Sequence, residues 1–439
     1  MAAPPMAGLG RLLRLALLVN LIGAAVALGI WLYTREIQLI TLLRLQLAGL
    51  FPRTVVLPLL GLLGGAAAGA LIGLEPAARG SGIVHVLLWL RGRRLALGWR
   101  VAGVKLLASG LAIGSGIPVG PEGPAIQIGA SVARESSDAL EAGRHRRLAV
   151  AVGSGAGLAA VFHAPLGGIA YVLEEMLGRS GLLSNTAAAA TAFVAVLWTR
   201  LLNLPGDGPL LLRNLIPIRE VPSRLNELRL IDLPVLVALG VLAALLAWPY
   251  QRVLLGLRRR LDRLTLPAWG RLALLGLAMG GLGVLLPPAF DNPEQLSIAA
   301  LGGLDSPMQA LGVLLVLGLG TVVSVAADAP GGFLAPALVV GASLGTLLTT
   351  LAGLTLHLTP ATLLFAGGSA FLGALTRTPL TAILLSFEIS KDYGLLLPIG
   401  VCTLTAIAVA DRLGGETVVE GMLHEALART ARGPDIPEG

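Results

Sequence analysis

Charge is what this chain most lacks. Only 13% of its 439 residues are Asp, Glu, Lys or Arg, against roughly 25% in a soluble globular protein. Too few charges remain to cover a water-facing surface, which excludes a soluble enzyme. With 55% hydrophobic residues, the chain is equally far from the charged, apolar-poor composition of a disordered protein. Lysine occurs only at Lys105 and Lys391. The single cysteine, Cys402, has no partner within the chain and supports neither a disulfide nor a thiolate metal site. The five histidines show no metal-ligand spacing, so no metal and no cofactor are expected.

Glycine is abundant, with 58 residues, while aromatics are scarce at 4%. Together with a mean hydropathy of +0.83, this describes helices packed closely in lipid, where small residues let backbones approach. The fold class is therefore an all-α polytopic membrane protein. The net charge of +7 would suggest nucleic acid in a soluble chain. Here it is carried by arginines in short polar breaks: Arg91, Arg93, Arg94 and Arg100; Arg144, Arg146 and Arg147; Arg258, Arg259, Arg260 and Arg263. They read either as an electropositive mouth for an anion or as loop charge that sets topology and meets anionic lipid. No nucleic-acid partner is expected.

The first apolar run, 12–33, is too long for a signal peptide and lacks a small-residue cleavage site, which makes it a retained helix. Further runs cover 55–74, 101–117, 148–173, 182–202, 233–247, 272–286, 310–327, 335–356, 363–375, 379–387 and 395–410. Several exceed or fall short of the roughly 20 residues that span a bilayer, and Gly and Pro interrupt many. Broken, tilted or half-spanning helices fit this pattern, and such helices are tolerated at membrane depth only where they line a cavity or are buried in protein.

The chain also repeats. Residues 120–131 align with 332–343 at six of twelve positions, and Ala-Pro165-Leu followed by Tyr-Val-Leu-Glu174 pairs with Thr-Pro379-Leu followed by Leu-Ser-Phe-Glu388. The offsets are 212 and 214, pointing to one duplicated half. The expected organisation is a single transmembrane domain, 1–439, with an N-terminal helix region at 1–49, repeat halves at 50–205 and 230–413, a short C-terminal helix and tail at 414–439, and no cytosolic regulatory domain. Duplicated halves with Gly/Pro-interrupted segments at matching places point to a transport site at their interface.

Gly120-Pro121-Glu122-Gly123-Pro124 reads as a turn opening a helix, with Pro124 in its first turn. A helix N-terminus offers free N–H groups and the positive end of the macrodipole to an anion. Gly331-Gly332-Phe333-Leu334-Ala335-Pro336 has the same grammar, and Gly80-Ser81-Gly82 adds a hydroxyl to backbone donors. Three such loops can converge on one dehydrated anion without a full positive charge, leaving the ion able to depart. Glu122 is the odd residue. A carboxylate there competes with the anion for the same donors, or accepts a proton and leaves the site free; the alternative is an acid that merely complements the helix dipole. Glu174 and Glu175 close a long apolar run, one as a helix-end residue facing water and the other as a second proton station.

With these motifs in order, the chain resembles the CLC chloride channel/transporter family over nearly its whole length. The family signatures GSGIP, GREGP and GGIFAP stand here as Gly80–Val84, Gly120–Pro124 and Gly331–Pro336, with Ala164-Pro-Leu-Gly-Gly-Ile169 and Glu174-Glu-Met176 between the last two and Lys105 ahead of the second. Gly114-Ser-Gly-Ile-Pro118 also spells the first signature, but it lies four residues before Glu122 and is expected inside the helix leading to the second. The resemblance implies a fold of many tilted, partly re-entrant helices in two inverted repeats. It implies chloride and protons as transported ions, a homodimer with one pore per subunit, and a multi-pass location in a bacterial inner membrane. Ser81 and the N–H groups of Phe333 and Leu334 would hold the central chloride, among site residues Gly80, Ser81, Gly82, Gly120, Pro121, Gly123, Gly332, Phe333, Leu334 and Ala335. Glu122 would be the external gate, and Glu175 the internal proton-transfer residue of the family's antiporters.

Four positions depart from the pattern. Val84 replaces proline, Pro121 replaces arginine, Leu334 stands in place of phenylalanine, and Val419 occupies the place of the family's central tyrosine. The leading expectation is a chloride/proton antiporter, loosely coupled for want of the tyrosine. An uncoupled anion channel is the alternative, and a fluoride/proton antiporter is a further one, disfavoured by Ser81. From another class, Ser115 or Ser154 with His163 could serve an intramembrane hydrolase, though no third orienting group is visible.

Overall fold

The computed structural model describes residues 5–139, 145–178, 181–203, 229–285, 306–352 and 358–430, with side chains from residue 16 to residue 428. They form 16 α-helices. In chain order these are α1 (Pro5–Leu50), α2 (Arg53–Leu74), α3 (Ile83–Leu90), α4 (Trp99–Gly114), α5 (Glu122–Ala139), α6 (Arg146–Phe162), α7 (Pro165–Tyr171) and α8 (Leu182–Leu202). They continue as α9 (Leu233–Leu261), α10 (Ala268–Leu285), α11 (Pro307–Ala326), α12 (Leu334–Ala352), α13 (Pro360–Thr376), α14 (Pro379–Ser390), α15 (Leu396–Leu413) and α16 (Val418–Thr430). Eight helices are long and apolar enough to cross a bilayer. Their outward faces carry exposed Leu39, Leu63, Phe193, Leu197 and Leu404, as expected where lipid, not water, is the solvent.

Three apolar runs have different limits in the structure. The first helix does not stop at Tyr33 but continues to Leu50. The polar residues that follow are accommodated by protein: the Arg35 guanidinium lies 5.5 Å from the Trp31 ring centroid, and the Glu36 carboxylate packs on Gly110 of α4. The run at 233–247 extends to Leu261, with Arg252 stacked over Trp248 at 3.7 Å. The run at 148–173 is not one helix. His163 adopts a left-handed backbone (φ 53°) that ends α6, and Pro165 opens α7. A π-helical turn at Val172–Leu177 follows α7.

The second half copies this break. Arg377, also left-handed (φ 57°), ends α13, and Pro379 opens α14, at the same offset of 214. Helix crossings are copied too. α5 and α6 meet through Gly129, Gly153 and Gly157, and α12 and α13 through Gly341, Gly345 and Gly367. A Cβ on Gly153 would lie 2.6 Å from the Gly129 carbonyl oxygen, and one on Gly367 2.5 Å from that of Gly341. Neither crossing admits a side chain. α1 packs on α8 as α9 packs on α15. The fold is all-α, with corresponding helices packed in corresponding ways and the glycine-rich loops between them at its centre.

Candidate ion-transport site

Two of these loops are joined directly. Gly120 donates its N–H to the Gly332 carbonyl at 2.8 Å, and Gly332 returns its N–H to the Gly120 carbonyl at 2.7 Å. The pair forms an isolated antiparallel bridge between positions that the repeat alignment makes equivalent. The Gly80–Gly82 loop completes the junction: a Cβ on Gly123 would lie 2.5 Å from the Ser81 carbonyl oxygen and 2.9 Å from the Gly332 Cα. The three motifs therefore touch through backbone. Glycine is required at 123 because two other chain segments occupy the space of a side chain.

Glu122 is fully buried and opens α5, where the Pro121 carbonyl accepts the first helical bond from Ala125 at 3.0 Å. Its side chain turns back into the cleft between Gly120 and Gly332, which a Cβ on either glycine would fill. Oε1 accepts the Leu334 N–H at 2.7 Å, and the Ala335 N–H also faces the carboxylate. Oε2 has no hydrogen-bond partner. The carboxylate thus takes donors at the start of α12, the positive end of a helix from the other half. An anion seeking those donors must displace it.

Ser81 lies between two left-handed glycines, Gly80 (φ +65°) and Gly82 (φ +86°), and is buried. Its loop is clamped by residues remote in sequence. Lys105 Nζ, fully buried, donates to the carbonyls of Ala78 at 3.0 Å and Gly80 at 2.5 Å. Gln127 Nε2 donates to the Ala77 carbonyl at 2.7 Å. The Gly80 N–H donates to the Asp328 carbonyl at 3.2 Å, tying the first motif to the segment that precedes the third.

Asp328 was not among the expected residues. Its carboxylate, 1% exposed, meets Arg79 at 2.5 Å, Arg258 at 2.6 Å and Arg271 at 3.7 Å. Arg258 also reaches Glu425 of α16 at 3.3 Å. One arginine of the expected loop clusters is therefore a buried-pair residue, and Arg146, paired with Asp138 at 2.6 Å, is another that is engaged. Arg144 lies outside the described residues. The available signal was a lone carboxylate at membrane depth, Asp328, in the break between two apolar runs. Gly114–Pro118 is not inside a helix: α4 ends at Gly114, and the residues after it form the first half's counterpart of the Asp328–Pro330 segment, with Gly116 (φ +108°) opposite Asp328 (φ +58°) at offset 212.

The two glutamates after α7 have different surroundings. Glu174 accepts the N–H groups of Leu380 and Thr381, each at 2.8 Å, and the Thr381 hydroxyl at 2.7 Å. It caps α14. Glu175 makes no hydrogen bond among the described residues and is half-buried; Glu420 at the start of α16, Arg91 at the end of α3 and Glu174 act on it electrostatically. Val419 is buried in the first turn of α16, a helix that packs on α3 and is capped by the reciprocal Thr417–Glu420 pair at 2.9 and 3.1 Å.

A family model described as "Voltage gated chloride channel" matches residues 55–411. The chain belongs to this family. It is 30% identical over 380 residues to the H(+)/Cl(-) exchange transporter ClcA of Salmonella paratyphi B, covering 83% of this chain and 78% of that protein. Its structure is similar to the crystal structure of a slow cyanobacterial Cl-/H+ antiporter, with a TM-score of 0.85, 26% identity, and coverage of 95% of this chain and 99% of the other. A eukaryotic CLC transporter shares the fold at a TM-score of 0.79 and 21% identity, over 95% of this chain and 75% of that one. The protein is a multi-pass inner-membrane transporter of the family and not an enzyme. The hydroxyls offered for a hydrolase are committed elsewhere: Ser115 donates to the Ala112 carbonyl, and Ser154 to those of Val150 and Ala151.

Proposed function

We propose that the protein exchanges chloride for protons, with Glu122 as the outer gate and Glu175 as the inner proton-transfer residue. The observation that carries this reading is the Glu122 carboxylate on the Leu334 N–H. A group that can hold a proton occupies the donors an anion would use, so protonation of one and binding of the other are linked. Chloride would then lie between Ser81 and the N–H groups of Phe333 and Leu334, bounded by Gly80, Gly82, Gly120, Pro121, Gly123, Gly332 and Ala335. Glu122 is fully buried and Glu175 half-buried among apolar helices, and ionisable groups at membrane depth are functional by default.

An uncoupled anion pathway is favoured by a different observation. Val419, apolar and buried at the start of α16, offers no hydroxyl to a central anion. We further propose a homodimer with one pore per subunit, as the family resemblance implies. The deciding experiment is the reversal potential of the protein in liposomes under opposed chloride and proton gradients. Coupled exchange moves the reversal potential with pH at fixed chloride. A value that stays at the chloride equilibrium potential at every pH would overturn antiport and leave the uncoupled reading.

A further inference from the structure

We propose that the hydroxyl of Tyr171 is a relay for protons travelling between Glu175 and Glu122. This rests on the antiport reading and adds a residue to its proton route.

Tyr171 is the last residue of α7, 3% exposed. Its hydroxyl is buried with no hydrogen-bond partner. A buried tyrosine usually finds a partner for its O–H, and an unsatisfied one costs stability; Tyr33 and Tyr250 share this state, so a role for Tyr171 needs a second ground. Its place supplies one. Glu175 follows four residues later, the spacing that puts two side chains on one helix face a turn apart. The π-helical turn that begins at Val172 lies between them, a geometry frequent at functional sites. Glu174 meanwhile is held at the start of α14 by three hydrogen bonds. Among charged groups, the carboxylates of Glu175 and Glu122 are the two that act electrostatically on the tyrosine.

The duplication provides an internal comparison. At the offset of 214 that equates Glu174 with Glu388, Tyr171 corresponds to Leu385 and Glu175 to Ile389. The second half thus lacks the hydroxyl and the carboxylate together, and α14 remains α-helical across both positions. The half that carries the titratable residue is also the half that carries the tyrosine and the π-turn.

The transfer balances without any change in redox state. A proton leaves the Glu175 carboxyl for the Tyr171 oxygen while the tyrosine's own O–H proton passes toward the Glu122 carboxylate, directly or through intervening water. Rotation of the new O–H returns the phenol to its starting state. Glu175 is left ionised and Glu122 neutral, with its carboxylate free to leave the Leu334 N–H.

Tyr171→Phe removes only the hydroxyl and tests the proposal in full-length protein reconstituted into liposomes. Because that oxygen has no partner, its loss should leave thermal stability unchanged or raise it. Proton uptake driven by a chloride gradient is expected to fall roughly a hundredfold or more, on the scale of losing one proton-transfer group, while chloride flux persists. Glu175→Gln in parallel separates the two readings. Coupling lost in Glu175→Gln but intact in Tyr171→Phe overturns the relay alone. Coupling intact in Glu175→Gln overturns the assignment of Glu175 on which the relay depends. A drop in Tyr171→Phe of chloride and proton flux in equal proportion, with a lowered unfolding temperature, marks a packing residue and overturns the relay as well.

Discussion

Glu174 and Glu388 cap each other's helices. Glu174, just after α7, accepts the N–H groups of Leu380 and Thr381 at the start of α14. Glu388, on α14, accepts those of Leu166 and Gly167 at the start of α7, at 3.0 and 2.8 Å. Donors and acceptors are related by the single offset of 214, so the contact is a two-fold relation written into one chain. Each carboxylate satisfies backbone donors that a helix start otherwise leaves open, at the end of the helix where negative charge is favoured.

This relation separates two adjacent acids by experiment. Glu174→Ala should destabilise the protein by about 2 kcal/mol, as for loss of a strong helix cap, and Glu388→Ala by a similar amount. Glu174→Gln should retain proton coupling. Unfolding midpoints in detergent and proton flux in liposomes check both halves of the statement. Loss of coupling in Glu174→Gln at full stability would move the proton role from Glu175 to its neighbour.

Glu122→Gln should abolish proton movement and leave chloride flux. The amide imitates a protonated carboxyl in size and cannot shuttle a proton. Liposomes carrying Glu122→Gln that still move protons under a chloride gradient would rule out this residue as the gate.

Val419→Tyr should tighten chloride binding by roughly tenfold, since a hydrogen bond to a charged partner contributes about 1.5–3 kcal/mol. Titration calorimetry on the wild type and the variant reads this directly. Equal affinities would mean that the added hydroxyl does not reach the central anion.

Asp328→Asn should destabilise the fold by about 3 kcal/mol, because it leaves Arg79 and Arg258 without the carboxylate between them. Asparagine tolerates the left-handed backbone at this position. Asp328→Gly suits the backbone still better and should be no more stable than Asp328→Asn, which assigns the loss to charge and not to φ. Denaturation midpoints of the two variants decide it.

The three glycine-rich loops and the helix starts they open were legible in the sequence because glycine and proline impose turns locally, and turns before apolar runs announce helix starts. Glu122 stood out for the same reason, as a carboxylate enclosed by such residues. The capping of α14 by Glu174 was not legible. It depends on a π-turn and on donors 206 and 207 residues away, neither of which has a local signature. The break at His163 was hidden because both flanks are apolar and only a left-handed residue before a proline marks it. Asp328 was missed because its partners Arg79, Arg258 and Arg271 come from three separate segments, of which only that of Arg258 stood out, and then as ordinary loop charge.

The reciprocal bond between Gly120 and Gly332 constrains how such a protein can work. Two backbone bonds in antiparallel register fix position along the strand as well as separation, so neither loop can slide past or draw away from the other without breaking both. Swinging the halves apart at this seam, as a hinged clamp would, must first break this pair. On the proposed reading the glycine bridge is the stator, and the moving part beside it is the Glu122 side chain, turning about its χ angles within a frame that stays shut. On that reading turnover depends on how readily one carboxylate leaves and regains the Leu334 N–H, and not on the parting of two domains.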